Sequence, residues 1–224
     1  MEMHPHLKAL RSAKQQTPAL CLSAVMEHGL SLSYVKKENQ TREICLAAVT
    51  QNGLAIQFVT NQTPELCIAA VKQHNFALVF VTEQAPEICL AAVERCGFAL
   101  LYVNEQTPEL CLAAVTQNGL ALHFVKQQTP ELCLAAIAQN GLALQHVKEQ
   151  TPDLCLAAVK TSGGALKHVT QQTAELCVVA LSTHGGTCLK HVRPNVFHAA
   201  IVELALEWEH GQMQKHKAAK KASI

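Results

Sequence analysis

The chain repeats one pattern of apolar and polar positions every 22 residues, apart from a two-residue insertion that ends the first copy and one extra residue in the last. The copies begin at Thr17, Thr41, Thr63, Ala85, Thr107, Thr129, Thr151 and Thr173. Self-similarity at a fixed short period is typical of repeat proteins. Positions are numbered below from the first residue of each copy.

The first half of each copy predicts an α-helix of about ten residues. In the copy that begins at Thr107, the hydroxyl can cap the helix, Pro108 suits its first position and Glu109 complements its dipole. Apolar residues at positions 4, 5, 8 and 9 recur at helical spacing, and those at 6 and 7 predict neighbours on both sides. The glycine at position 13 is expected to end the helix as a left-handed C′ residue, as at Gly53, Gly119 and Gly141.

The second half of each copy predicts a shorter helix. After Gly119, "LALHFVKQQ" alternates apolar and polar positions until the next capping threonine. Helices this short are marginal in water alone, so each hairpin needs its neighbours to bury its apolar faces. The sequence therefore predicts an all-α fold, an α-solenoid of about eight 22-residue helix-turn-helix repeats with N- and C-terminal capping helices.

The two ends of the chain leave this pattern. "LKALRSAKQQ" predicts a lone helix before the first copy, and the residues after Arg193 predict a longer amphipathic helix. One face of that helix is expected to carry Phe197, Ile201, Leu204 and Trp208. The predicted division is an N-terminal capping half-repeat (1–16), eight αα-hairpins (17–192), a C-terminal capping helix (193–215) and a basic flexible tail (216–224).

A leucine-rich repeat is the main competing fold, because its period range includes 22 residues. That fold needs Asn or Cys at its ladder position in nearly every copy, to satisfy backbone groups. Position 12 instead varies among Asn, His, Cys and Ser. The Ala-Ala and Thr-Pro-Glu motifs favour helices, and the leucine-rich repeat remains the alternative.

Composition and charge argue against a membrane protein and against a nucleic-acid-binding protein. The hydrophobic fraction is 49%, yet no apolar stretch approaches the ~18 residues of a membrane span, and the first residues do not resemble a signal peptide. The formal net charge is +1, which provides no field to attract nucleic acid. We expect neither a transmembrane segment nor a nucleic-acid partner.

Eight of the ten cysteines occupy position 5, and no CxxC pair occurs. Equivalent atoms of packed helices lie ~8–10 Å apart, too far for a disulfide or a shared zinc ion. We predict buried packing residues, no metal, and a reducing compartment. These structural cysteines are Cys21, Cys45, Cys67, Cys89, Cys111, Cys133, Cys155 and Cys177.

Among the twelve histidines, His146, His168 and His191 fall at position 18, where earlier copies carry Phe or Tyr. A metal or proton site along three repeats is one interpretation. Half-buried rings that fill aromatic slots are favoured, because stacked equivalents are too far apart to share an ion. Protonation near pH 6–7 would then loosen these repeats. The glutamine that ends each copy but the last is expected to bridge the turns of adjacent repeats.

The consensus "TPELCLAAVxQNGLALxFVxxQ" resembles the tandem repeat of the family called domain of unknown function 4116, from about Gln16 to Val192. The resemblance implies an interaction repeat, found in protist proteins and in secreted effectors of intracellular bacteria, with no assigned catalytic residues. It therefore implies an effector, or a piece of one, that acts inside a host cell. The insertion near Glu38, the non-glycine Asn75 and the extra residue near Thr187 depart from the pattern.

No catalytic motif accompanies the repeats. The positions that vary between copies are expected to face solvent, where a partner would bind. We predict a non-enzymatic protein- or peptide-binding scaffold without a cofactor, located in the cytoplasm or in a host cytosol. A structural spacer in a larger protein and an enzyme site built across repeats are the alternatives. The candidate binding residues on the second helix are Gln57, His123, Lys126, Gln145, Lys167 and Lys190.

Overall fold

The computed structural model describes residues 5–206, and within that range it contains helices and no strand. The α-helices are α1 (Pro5–Ser12), α2 (Pro18–Glu27), α3 (Arg42–Gln51), α4 (Pro64–Gln73), α5 (Pro86–Arg95), α6 (Pro108–Gln117), α7 (Pro130–Gln139), α8 (Pro152–Thr161), α9 (Ala174–His184) and α10 (194–206). The 3-10 helices are η1 (Gly29–Tyr34), η2 (Lys37–Asn39), η3 (Gly53–Phe58), η4 (Asn75–Phe80), η5 (Gly97–Tyr102), η6 (Gly119–Phe124), η7 (Gly141–His146), η8 (Gly163–His168) and η9 (Gly185–His191). The all-α repeat fold is confirmed, and the leucine-rich alternative, which needs a strand in each repeat, is wrong.

The helix starts follow the predicted capping chemistry. In seven copies the position-1 threonine accepts a hydrogen bond from the backbone N–H three residues later, as Thr63 does from Leu66 at 3.4 Å. The eighth copy begins with Ala85, whose side chain makes no capping bond. Its backbone has the same extended conformation as the capping threonines, so the helix starts in the same place without that bond.

The second helix of each copy is a 3-10 helix of six or seven residues. Where position 12 is asparagine, its side chain caps this helix: Asn52 accepts a bond from the N–H of Leu54 at 3.0 Å, and Asn118 and Asn140 act in the same way. Bonds from residue i to i+3 suit such a short segment. They bury positions 15 and 16 against the α-helices and leave positions 14 and 17 outside.

The described residues form two compact units. The first runs to Gln117 and includes Phe124–Lys126, and the second comprises Asn118–His123 and the residues from Gln127 onward. Within each unit, the α-helix of one copy packs on that of the next, and the 3-10 helices pack likewise. The core of the copy at Thr63 shows the common set of buried positions: Leu66, Cys67, Ala70, Val71, Ala77, Leu78 and Val81.

As predicted, an α-helix such as α4 packs between the α-helices of the preceding and following copies. The side of the helix at position 6 nevertheless faces solvent in three copies. At position 6, Leu90, Leu112 and Leu134 are 38%, 49% and 44% exposed. Positions 4, 5, 8 and 9 already supply the buried side of each helix. In the last copy, by contrast, Val178 at position 6 is buried.

The face predicted for the last helix is partly wrong. In α10, Ala200 is buried and Leu204 is partly buried, whereas Phe197 and Ile201 are both 41% exposed. Successive helix residues are rotated by about 100°, so the packed side lies one residue away from the predicted one. Trp208, the remainder of the predicted capping helix and the predicted tail 216–224 lie outside the described residues.

The two irregular copies are accommodated locally. The insertion after the first copy forms the single 3-10 turn η2. In the last copy the extra residue extends α9 to 11 residues. That helix ends at Gly185 with φ +65°, where a glycine carries no penalty for a left-handed conformation.

Candidate binding surface

The position-13 glycines other than Gly185 are needed for close packing and not for a left-handed turn. Among the described residues Gly185 alone has a positive φ, so the left-handed conformation predicted for Gly53, Gly119 and Gly141 is wrong. A Cβ atom on Gly53 would lie 2.3 Å from the carbonyl oxygen of Ala70 in the next copy. The corresponding distances are 2.3 Å for Gly119 and 2.6 Å for Gly141. The next α-helix passes too close for any side chain.

Four of the position-13 glycines donate a hydrogen bond to the next copy. The Gly53 N–H donates to Oε1 of Gln73, at position 11 of the following copy, at 2.6 Å. Gly29, Gly97 and Gly119 bond in the same way to Gln51, Gln117 and Gln139 at 2.6–2.7 Å. Sequence analysis missed this pairing, although its signal is present. The copy that follows Asn75, which replaces the glycine, carries Arg95 at position 11.

The glutamine that ends a copy joins it to the next, as predicted. Gln62 Nε2 donates to the carbonyls of Ile56 in its own copy and Phe80 in the next, at 3.1 and 2.9 Å. Its Oε1 accepts from the N–H of Thr82 at 2.9 Å. Equivalent bonds to the next copy are made by Gln16, Gln40, Gln84, Gln106, Gln128, Gln150 and Gln172. These bonds satisfy loop groups that would otherwise need water.

The position-5 cysteines are buried and unbonded to one another. All eight are free thiols, and burial raises the pKa of each, for example Cys67 and Cys133. The Cys67 thiol donates to Oε1 of Gln62 at 3.9 Å. A buried thiol with a raised pKa stays protonated and is a poor nucleophile or metal ligand. The described residues contain no cluster of His, Cys, Asp and Glu that could hold a metal ion.

The exposed side chains of the 3-10 helices define one surface in each unit, called here the 3-10 face: positions 14, 17 and 18. Position 17 is exposed in every copy. Its residues are Ser33, Gln57, Val79, Leu101, His123, Gln145, Lys167 and Lys190. Five of the six predicted binding residues therefore lie on this face. The sixth, Lys126, is exposed at position 20, and its Nζ donates to the carbonyl of Asn104 at 3.0 Å.

In the first unit the 3-10 face carries packed aromatic rings. Phe76 meets the rings of Phe80 and Tyr102 edge to face, with centroids 5.8 and 5.2 Å apart. Phe98 meets Phe124 in the same way at 5.8 Å. Between the rings, Val79 and Leu101 stand at position 17. We call the set Phe76, Val79, Phe80, Phe98, Leu101 and Tyr102 the aromatic patch.

Sequence analysis did not single out the aromatic patch, because it took apolar letters within a helical pattern as core. The available signal is at position 17, which is polar in six copies and apolar only in the two consecutive copies that contain Val79 and Leu101. An apolar residue at a position that otherwise faces solvent indicates an exposed apolar surface.

In the second unit the same face carries histidine and lysine. His146, His168 and His191 are partly buried at position 18, and the His123 and His146 rings lie 4.7 Å apart. Burial, followed by the positive charges of Lys167 and His191, lowers the pKa of His168. The pKa values of His146 and His191 are lowered for the same reasons, by burial first and by cationic neighbours second. These rings fill the slots of Phe and Tyr.

Comparison with known proteins finds one family. The model of the domain of unknown function (DUF4116) matches residues 41–84, 86–129 and 107–151, so each match spans about two copies. No curated protein and no solved structure matches the chain. Within the described residues, no helix has the length and apolar content to cross a membrane.

Proposed function

Because residues 41–84 and 86–151 match the repeat model of the DUF4116 family, we propose that this protein is a non-enzymatic scaffold that binds an apolar segment of another protein. The observation that carries the proposal is the aromatic patch on the 3-10 face of the first unit. Phe76, Val79, Phe98 and Leu101 are 37%, 45%, 39% and 54% exposed. Contiguous exposed apolar surface of this kind marks interaction sites.

The chemistry of the patch suits peptide recognition. Exposed aromatic rings supply a large share of the binding energy at protein interfaces. Their edge-to-face contacts hold Phe76 against Tyr102, so little side-chain freedom is lost on binding. Below them, the amide bridges of Gln62 and Gln84 tie the backbones of η4 and η5 to the preceding copies. The patch is thus held in place before a partner arrives.

The family resemblance supports a proposal for the biological setting. We propose that the partner is a host protein, and that the chain is an effector or a module of one. It would act in a reducing compartment, where eight buried thiols persist. It would use no cofactor. The alternative is a structural spacer within a larger protein, in which case the aromatic patch would bind nothing.

A peptide-display selection tests the proposal. Random peptides are selected on the full chain, and their affinities are measured by calorimetry on the wild type and on the double variant V79D/L101D. The two substituted side chains are exposed, so the fold should persist while two apolar contacts are lost. We expect affinity to fall by about a hundredfold or more, since each central interface contact contributes ~1–2 kcal/mol or more.

The matched control is M26D/L112D, which places the same charges on exposed α-helical positions, 63% and 49% accessible. It should leave peptide affinity unchanged, and both doubles should melt like the wild type. Loss of binding in the control would place the surface on the α-helical side. If every selected peptide binds the wild type and V79D/L101D equally, the aromatic patch is not the binding surface. If no peptide binds at all, the spacer alternative is favoured.

A further inference from the structure

The second unit has a different chemistry on its 3-10 face, because carboxylates are missing from it. No Asp or Glu occurs in residues 132–148, 154–174 or 176–202. These segments contain η7, η8, η9 and most of the helices that pack on them. Lys167 and Lys190 are exposed on this face, and neither ammonium has a hydrogen-bond or ion-pair partner within residues 5–206. The face is therefore cationic without internal compensation.

A polar pocket opens between η8 and η9. Position 14, which carries Leu or Phe in the first six copies, is Gly164 here. A Cβ built on it would make ordinary van der Waals contacts with Leu142 and Ser162, at 3.5 and 3.6 Å, so a side chain fits here without a clash. The pocket has a volume of about 340 Å³. Its walls include Ser162, Gly163, Gly164, His184, Lys190 and His191.

Two of these wall residues offer hydrogen-bond donors without acceptors. In four other copies the position-13 N–H donates to the glutamine at position 11 of the next copy. The copy after Gly163 carries Thr183 there, and the Gly163 N–H has no acceptor in the part of the chain described. The Ser162 hydroxyl makes no capping bond. His184 Nε2 is already engaged with the Val159 carbonyl at 2.9 Å and acts as a wall.

From this geometry we propose that the pocket between η8 and η9 binds a carboxylate of an acidic peptide segment, with Lys167 taking a second acidic side chain. The ammonium of Lys190, the Ser162 hydroxyl and the Gly163 N–H are the donors that an oxyanion requires. Acidic segments suit a surface whose lysines have no carboxylate partners, because complementary charge sets partner choice. The proposal rests on the proposed peptide-binding function and uses side chains outside the aromatic patch.

The test uses a fluorescein-labelled hexaglutamate peptide and the full chain, with fluorescence polarisation at low and at physiological salt. Lys190→Gln removes the pocket cation. Gly164→Leu restores the side chain that position 14 carries in most copies and fills the pocket. Each should weaken binding by about tenfold or more, as loss of a charged hydrogen-bond partner does. The matched control, Lys160→Gln, removes the same charge from an exposed α8 position and should change affinity by less than about twofold.

The outcomes separate this proposal from the preceding one. Hexaglutamate binding that survives in V79D/L101D and is lost in Lys190→Gln supports the pocket even if the aromatic patch binds nothing. Equal loss in Lys160→Gln would mean general charge attraction and would overturn the proposal. It is also overturned if hexaglutamate does not bind, or if single-stranded RNA of equal charge binds more tightly and depends on Lys190. Gly164→Leu counts as a blocked pocket once its melting curve matches the wild type.

Discussion

At the scale of single residues, two small features order the repeats: a glycine with no room for a side chain and a glutamine amide that reaches into the next copy. Both connect backbones of adjacent copies, and neither is a feature of one copy alone. Sequence reasoning gave the glycine a role within its own copy, because left-handed turns and close approaches select the same residue. The distance of 2.3 Å between a Cβ on Gly53 and the Ala70 carbonyl oxygen decides between them.

Substitution of Gly53 by alanine is therefore expected to destabilise the protein by about 2 kcal/mol or more, because a close-packed interior must shift to admit the methyl group. The matched control is Gly186→Ala, where nothing lies within 4 Å of the added Cβ. That change should stay within about 1 kcal/mol of the wild type. Urea unfolding followed by circular dichroism measures both. Equal unfolding midpoints for the two variants would contradict the close-packing explanation.

At the scale of elements, the α-helices are nearly identical in length and start, and one start lacks its cap. Ala85 precedes α5 with φ −61° and ψ 149°, close to the −70° and 160° of the capping Thr41. A threonine at Ala85 would therefore place its hydroxyl near the N–H of Ile88, which donates to the Ala85 carbonyl at 3.0 Å in the absence of a cap.

We expect Ala85→Thr to raise the free energy of unfolding by roughly 1 kcal/mol, the usual contribution of an N-cap hydroxyl. Thr129→Ala, the reverse change at a capped start, should lower it by a similar amount, since the bond from the Leu132 N–H is lost. Thermal melts of both variants provide the measurement. A stabilised Thr129→Ala, or an Ala85→Thr no more stable than the wild type, would mean that these caps do not limit helix stability.

Much of the structure at the scale of elements could be predicted from the sequence. Thr-Pro-Glu, the helical spacing and the constant columns predicted the α-helices and their buried positions, because capping and burial act on a few neighbouring residues. The 3-10 geometry could not be predicted, since six residues such as "GLALHF" do not distinguish a period of 3.0 from 3.6. The aromatic patch was missed because an apolar letter gives no information about which layer, if any, covers it. The exposure of Leu112 was misjudged for that reason.

At the scale of the whole molecule, a fall in pH should destabilise the second unit, which contains His146, His168 and His191. Their pKa values in the folded protein lie below the ordinary 6.5, so the unfolded chain takes up protons first as the pH falls. The free energy of unfolding is at its full value above about pH 6.5, where these histidines are neutral in both states. It declines as the pH falls from there through the lowered pKa values.

We expect a lower melting temperature at about pH 5.5 than at about pH 8. The control variant H146F/H168F/H191F places at position 18 the phenylalanine that other copies carry there, and it should show a smaller pH dependence. This range avoids most of the titration of carboxylates such as Glu131, whose pKa is lowered by backbone and Thr129 hydrogen bonds. If the melting temperatures of the wild type and the triple variant changed equally with pH, these histidines would not be the cause.

The hydrogen bond from a position-13 glycine to the glutamine of the following copy makes some pairs of adjacent copies complementary to each other. In four copies, a glycine at position 13 is followed by a glutamine at position 11 of the next copy, as Gly97 is by Gln117. The copy after Asn75 carries Arg95 at that position, and the copies after Gly141 and Gly163 carry Thr161 and Thr183. Exchanging two copies could therefore separate a glycine from its glutamine partner, even though the sequence of each copy stayed the same. A segment moved to another repeat protein would therefore have to contain the second half of one copy and the first half of the next, so that the glycine and its glutamine stay together.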